Sequence, residues 1–424
     1  MENYNAQQLT QKRRGVFSIS FTGIAFTVLC IYLALIALQY IEGFSSQWLS
    51  LALYGFAALS ALFFLAQCSF QMMFHSKWCF AVVMMCGFSC LYAYNRSVAW
   101  RETQDMAKIL IFSVAFTNVV KTKKQSETCM LVTTVAPLIL FVYLLATDQL
   151  NVKGRLGNEL TGNANIFATI FMAGAICSVY FVFHARNKLW SILSTVTLCI
   201  QLYAIALAGS RKFFLIPIGL FAALKLMSAD KNGRRHIVRD GILVGALVLA
   251  VGWMLFNVDV LYNSIGYRME GMINGLTGSG EADKSTKYRM YLIDKGIALW
   301  LQKPVFGWGI NNFKPVSGEP FYAHNNYAEL LCDVGLIGIA IYYSFSVAML
   351  VKLIKRKNKQ TQDWFWLFTL AALLIFDYGA VSYNMYHIQI LLMLASVSQQ
   401  DWANQRRSLT TEGDSVNEQR KYIS

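Results

Sequence analysis

The run "FYAHNNYAELLCDVGLIG" at 321–338 holds His324, followed by Asn325 and Asn326, with Glu329 one helical turn further on. A neutral imidazole with an ordinary pKa near 6.5 can take a proton from a hydroxyl at physiological pH. Asn325 is a candidate for holding the substrate that carries such a hydroxyl. Glu329 could orient His324 or a substrate hydroxyl, or could equally be a carboxylate on a helix surface. Of the four other histidines, His75, His184 and His236 fall in basic tracts and are read as surface residues. His387 opens the last apolar run.

Three arginines could hold a phosphate group, since a guanidinium is a fixed planar cation that grips phosphate in a bidentate way. Arg211 lies in "ALAGSRKFFLIP", between two apolar runs. Ionisable groups near membrane depth are costly and often mark a substrate path, although Arg211 and Lys212 could also lie against lipid headgroups. Arg268 ("IGYRMEGM") and Arg289 ("STKYRMYLIDKGIALWLQKPVFGWG") lie in one long polar loop. Each could bind substrate or be a solvated charge on an amphipathic helix. A further turn-rich segment, "NVKGRLGNELTGNANIFA", offers Asn165 at the start of a helix, as a sugar-binding amide or as a polar helix end.

These residues must be positioned by membrane-spanning helices. The chain has 424 residues, 56% hydrophobic and 14% charged, against roughly 25% charged in a soluble domain. The apolar periodicity predicts an all-α integral membrane protein with twelve spans at 16–41, 48–70, 78–94, 105–120, 129–147, 166–183, 189–208, 213–228, 237–256, 336–354, 364–382 and 385–399. The first run is too long for a signal-peptide core of roughly 7–15 residues. The formal net charge of +14 sits in short tracts such as "KTKK", "DKNGRR" and "KRKNK" between alternate spans, with Lys12, Arg13 and Arg14 ahead of the first. That is the positive-inside pattern and places the N-terminus in the cytoplasm. It excludes a nucleic-acid footprint, which would need a soluble basic face. Nine scattered cysteines form no CxxC pair and are read as buried and inert.

The expected organisation is helices 1–9 over 1–256, an extracytoplasmic catalytic loop at 257–335, helices 10–12 over 336–399 and a cytoplasmic, disordered tail at 400–424. The loop is rich in aromatics, so a folded cap is expected, with a helix from Ser285 to Leu301 and a flexible "TGSGEADKS" stretch before it. After His324, apolar Tyr327, Leu330, Leu331 and Val334 predict a short helix that breaks at Gly335. No DxD pair occurs in these outer loops, and no HExxH, P-loop or GxSxG occurs.

Four segments together, "RLGNELTGNANIFA", "GSRK", "KYRMYLIDKGIALWLQKPVFGWGINNF" and "AHNNYAELLCDVGLIG", resemble the O-antigen ligase and polymerase family. The resemblance implies a GT-C-like, metal-independent, inverting glycosyltransferase of the bacterial cytoplasmic membrane, with no cofactor. Its active site would face outward, its donor would be a glycan on polyprenyl pyrophosphate and its acceptor a saccharide. It implies that Arg211 and Arg289 hold the pyrophosphate and that His324 is the general base. Asn325 stands where ligases of the family often carry serine, which leans toward a polymerase; ligation of a finished glycan is the alternative. A transporter is a second alternative, but no two-half symmetry is visible.

Overall fold

The computed structural model describes residues 21–41, 46–67, 72–150, 155–185, 187–227, 236–277 and 284–399. Lys12, Arg13, Arg14, the "DKNGRR" tract, most of "TGSGEADKS" and the 400–424 tail lie outside the described residues. Among the described residues all regular structure is helical. Long helices are α1 (Phe21–Leu38), α2 (Ser46–Gln67), α3 (Phe74–Ser89), α4 (Arg96–Val119), α5 (Lys123–Ala146), α6 (Ala164–Phe183), α7 (Lys188–Leu207), α8 (Arg211–Met227) and α9 (Ile237–Asn257). After a π-helical turn at Tyr262–Gly266 come α10 (Tyr267–Thr277) and α11 (Lys284–Gln302), then α12 (Asn326–Lys355), α13 (Thr361–Asp377) and α14 (Tyr386–Ser398). A helix therefore lies over each of the twelve apolar runs. Five of them, α5, α6, α7, α9 and α12, are long and apolar enough to cross a bilayer, and α1 and α14 are apolar but shorter.

Burial separates two kinds of apolar helix. In α6 nearly every residue from Phe167 to Tyr180 is buried, and the helix packs against α5, α7, α8, α13 and α14. A helix that is apolar all round belongs inside a bundle. In α9 almost nothing is buried: Val238 is 79% and Leu249 76% exposed. Such a face cannot stand in water and marks the lipid-facing side of a membrane protein. Cys199 on α7 is exposed in the same way, so the reading of all cysteines as buried does not hold.

The described residues of the segment 257–335 share a small core of their own with the start of α12. Leu292 on α11 packs with Phe313, Ala323, Ala328 and Cys332. The cap is tied to α12 through its break. Gly335 has φ 64° and ψ −165°, and an added Cβ would lie 2.3 Å from the Val305 carbonyl oxygen. Interrupting the helix there frees backbone groups, and the 304–309 segment takes them. Leu336 N–H donates to Pro304 O (2.9 Å), Trp308 N–H to Cys332 O (2.9 Å) and Gly309 N–H to Asp333 O (2.7 Å). Only glycine fits this conformation and this approach.

His75 is not a surface residue. The helix α3 begins at Phe74 and turns His75 inward to zero exposure, where its Nδ1 pairs with Ser113 Oγ on α4 (2.8 Å). His184 is half-buried, stacked on Tyr180 with ring centroids 4.0 Å apart. In both tracts the lysine carries the exposed polarity and the imidazole fills a protein contact.

Candidate active site

Four elements bring charged and polar side chains to the capped end: the loop before α6, the α7–α8 turn, the start of α10 with α11, and the segment leading into α12. The α7–α8 turn requires Gly209, at φ 61°, whose added Cβ would meet Ser264 O at 2.8 Å. Beyond it Ser210 leads into α8, which begins at Arg211. Arg155, from the loop before α6, reaches across to this turn. Its Nε donates to Ala208 O (2.8 Å), and one terminal nitrogen donates to Ser210 Oγ (2.8 Å) and Asn165 Oδ1 (3.0 Å). Asn165 is thus a support for Arg155. The helix cap is Asn163, which accepts from Asn165 N–H (2.9 Å).

Arg155 has no carboxylate contact among the described residues. The neighbouring charges acting on it are Arg268 and Arg289, and burial together with these two cations lowers its pKa to about 10. Arg211 donates to the backbone oxygen of Arg268, and Arg268 donates from Nε to Tyr267 OH (3.0 Å) and weakly to Gly209 O (3.4 Å). Lys212 lies over the rings of Phe213 and Phe376, 5.2 Å from each centroid, within electrostatic reach of Arg155, Arg289 and Asp377. Five basic side chains therefore converge from parts of the chain far apart in sequence, and burial with the neighbouring arginines pushes the Lys212 ammonium well below its ordinary pKa. Like charges gathered this closely favour occupation by an anion.

His324 faces this group. Its backbone is left-handed, φ 57°, a strained conformation for a residue with a Cβ. Both flanks are pinned. Glu329 is buried and its carboxylate accepts from Ala323 N–H (2.6 Å), while Asn325 caps α12 by accepting from Ala328 N–H (3.0 Å). Glu329 is therefore neither a surface carboxylate nor a direct partner of the imidazole; it fixes the backbone next to it. The imidazole lies against Tyr322, with centroids 4.3 Å apart. Burial, with Arg289, Lys212 and Lys314 nearby, holds its pKa down at about 3. It is neutral throughout the physiological range and able to accept a proton.

Two further contacts hold the site together. Glu319 accepts from Tyr288 OH (2.8 Å), Tyr291 OH (3.0 Å) and Lys295 Nζ (2.7 Å), fastening α11, the helix that carries Arg289, to the segment before His324. Asn326 ties the start of α12 to the α13–α14 turn. Its Nδ2 donates to Tyr343 OH (2.9 Å) and Asp377 Oδ2 (3.3 Å), and its Oδ1 accepts from Ser382 N–H (3.0 Å). Asn325 Nδ2 donates to Tyr378 O (3.0 Å) in the same turn.

Of the residues singled out from sequence, Arg289 exerts the largest charge effect on His324, Arg211 and Arg268 meet on the α8–α10 side, and Asn165, Asn325 and Glu329 act as supports. Arg155, Lys212 and Lys314 were missed as site residues. The only signal for Arg155 was an arginine within a glycine-rich turn, and for Lys212 its adjacency to Arg211.

The O-antigen ligase family model matches residues 196–343 of the chain. That stretch contains Arg211, Arg268, Arg289, His324, Asn325 and Glu329, and the resemblance drawn from the local motifs stands. Arg155 and Asn165 precede it. Comparison with curated proteins finds no match.

Proposed function

We propose that the chain transfers a glycan from polyprenyl pyrophosphate to a sugar hydroxyl at the outer face of a bacterial cytoplasmic membrane, through a twelve-span bundle whose 257–335 segment is the catalytic cap. The observation that carries this reading is a neutral imidazole, His324, held beside a cluster of four arginines and a lysine at one end of an apolar bundle. The positive-inside assignment puts that end outside, and the lysines of "KTKK" and "KRKNK" at the other.

The chemistry follows from the charges. A glycosyl pyrophosphate diester carries two negative charges, and its leaving group gains a third as the anomeric C–O bond breaks. Arg211 and Arg289, with Arg155 beside them, supply fixed positive charge where that anion develops, which stabilises the transition state more than the ground state. The acceptor O–H gives its proton to the His324 imidazole, and the oxygen bonds to the anomeric carbon opposite the departing pyrophosphate. The configuration inverts. The imidazolium then returns its proton to water. These side chains provide the leaving-group stabilisation that a metal supplies elsewhere, so transfer proceeds without added metal.

Polymerisation and ligation differ only in the acceptor. Asn325 caps α12, a task serine performs equally well, so its identity reflects helix capping as much as acceptor choice. The test is incubation of the purified chain in nanodiscs with a polyprenyl-pyrophosphate glycan and chelator. A ladder of products identifies a polymerase, and a single product on a separate acceptor a ligase. Undiminished product from His324→Ala overturns the assignment of the base.

A further inference from the structure

A cavity of about 400 Å³ opens beside the cationic cluster and is lined by none of its five members among the described residues. Tyr322 forms part of its wall, and the same ring lies against His324. The Tyr322 ring thus stands between the cavity and the imidazole, which is not itself in the lining. Its volume falls in the roughly 300–1,000 Å³ range of small-molecule sites.

Three of its polar groups, Asn311, Asn384 and His387, are placed to accept hydrogen bonds. Glu102, buried on α4, accepts from Asn311 Nδ2 (2.8 Å) with one oxygen and from Asn384 Nδ2 (2.9 Å) with the other. Both amides line the cavity, and their nitrogens are committed to Glu102. Their carbonyl oxygens make no protein hydrogen bond among the described residues, so they remain as fixed acceptors. His387 also lines the cavity, and its buried Nε2 has no hydrogen-bond partner among the described residues. Buried polar atoms left in this state are rare without a ligand or water to satisfy them. The lining also holds Lys314 and the Glu329 carboxyl, whose pKa burial raises to about 7. Aromatic faces come from Tyr322 and Tyr386.

We infer that this cavity is the acceptor subsite and takes an uncharged sugar ring, whose hydroxyls donate to Asn311, Asn384 and His387 while one ring hydroxyl reaches His324 past Tyr322. This rests on the functional reading above and adds to it the place and chemical class of the acceptor. A ring bearing a carboxylate would be drawn instead to the cations, and the fixed carbonyl oxygens would repel it.

Saturation-transfer NMR tests it on the full chain in nanodiscs, with methyl glucoside, methyl galactoside and N-acetylglucosamine as neutral probes and glucuronate as the charged one. At least one neutral probe should bind to the native chain. Ile166→Trp, which fills the cavity from a lining residue that makes no side-chain hydrogen bond, should weaken that binding at least tenfold. His387→Leu should weaken it several-fold, and Arg289→Ala should leave it unchanged. Both cavity variants should retain native binding of polyprenyl pyrophosphate, which also shows that they fold. Neutral probes that bind equally to Ile166→Trp and His387→Leu, that are lost in Arg289→Ala, or that bind no better than glucuronate overturn the inference. Failure of the native chain to bind polyprenyl pyrophosphate instead overturns the functional reading, since sugar occupancy of the cavity is measured separately.

Discussion

The charge environment of His324 makes a prediction about pH that an ordinary histidine would not. In the free protein the imidazole titrates at about 3, because burial and the neighbouring Arg289, Lys212 and Lys314 all disfavour a second positive charge. Against an ordinary value near 6.5, that depression corresponds to roughly 5 kcal/mol. A base so weak is a poor proton acceptor, yet the donor itself corrects it. One phosphate charge about 6 Å away, at an effective dielectric near 20, is worth about 3 kcal/mol, or about two pKa units. The two phosphates together return somewhat more, while burial persists, so the imidazole of the loaded site should titrate at about 5–6. The assay is the initial rate of glycan transfer from about pH 4.5 to 8.5, analysed separately as kcat and kcat/KM. Since kcat/KM reports the free protein and kcat the loaded one, kcat should fall on the acid side below about 5–6, while kcat/KM stays level to the lowest pH at which the protein remains folded. Coincident acid limbs near 6.5 would refute the reasoning, because they would show that neither the cations nor burial acts on the imidazole.

Removing the imidazole with His324→Ala should lower transfer about 10²–10⁴-fold, with normal membrane insertion and unchanged donor binding. Arg155→Ala removes charge-assisted bonds and a cation facing the donor; at about 1.5–3 kcal/mol, the donor KM should rise about 10- to 100-fold, and an unchanged KM would remove Arg155 from the site. Asn326→Ala leaves the Ser382 N–H without its acceptor and removes one of the donors to Asp377, which keeps Tyr343 OH and Ser382 Oγ, so thermal unfolding in detergent should show a loss of about 1–3 kcal/mol. Gly335→Ala forces a Cβ against Val305 and should sharply reduce the yield of folded protein, whereas Gly87→Ala, with nothing within 4 Å, should be neutral. Transfer should persist in excess chelator, and its abolition with restoration by one divalent metal would contradict the proposed route.

Helix positions were legible in the sequence because a bilayer leaves no other way to satisfy backbone groups, so apolar runs of sufficient length must become helices. The break at Gly335 was equally legible, since the periodicity of Tyr327, Leu330 and Val334 stops there. His324 and Arg289 stood out because the longest polar loop holds a single histidine and, besides Arg268, a single arginine. Other readings failed where a local pattern had to stand for a spatial one. His75 sits in a basic tract yet points into the bundle, because the face of α3 decides its surroundings. Glu329 reads as a surface carboxylate until Ala323 N–H is seen to need its oxygen.

What the amino-acid order determined by itself was the material: enough apolar length for a helical membrane protein, an asymmetric distribution of lysine and arginine, and a short roll of residues able to do chemistry. Which of these meet was decided only by the tertiary structure. Arg155 reaches Ser210 across 55 residues, Asn326 holds Ser382 across 56, and Glu102 braces Asn384 across 282. Hydrophobic periodicity constrains which face of a helix is buried, but it carries no information about which distant helix lies against that face. The cation cluster and the cavity beside it are properties of that packing.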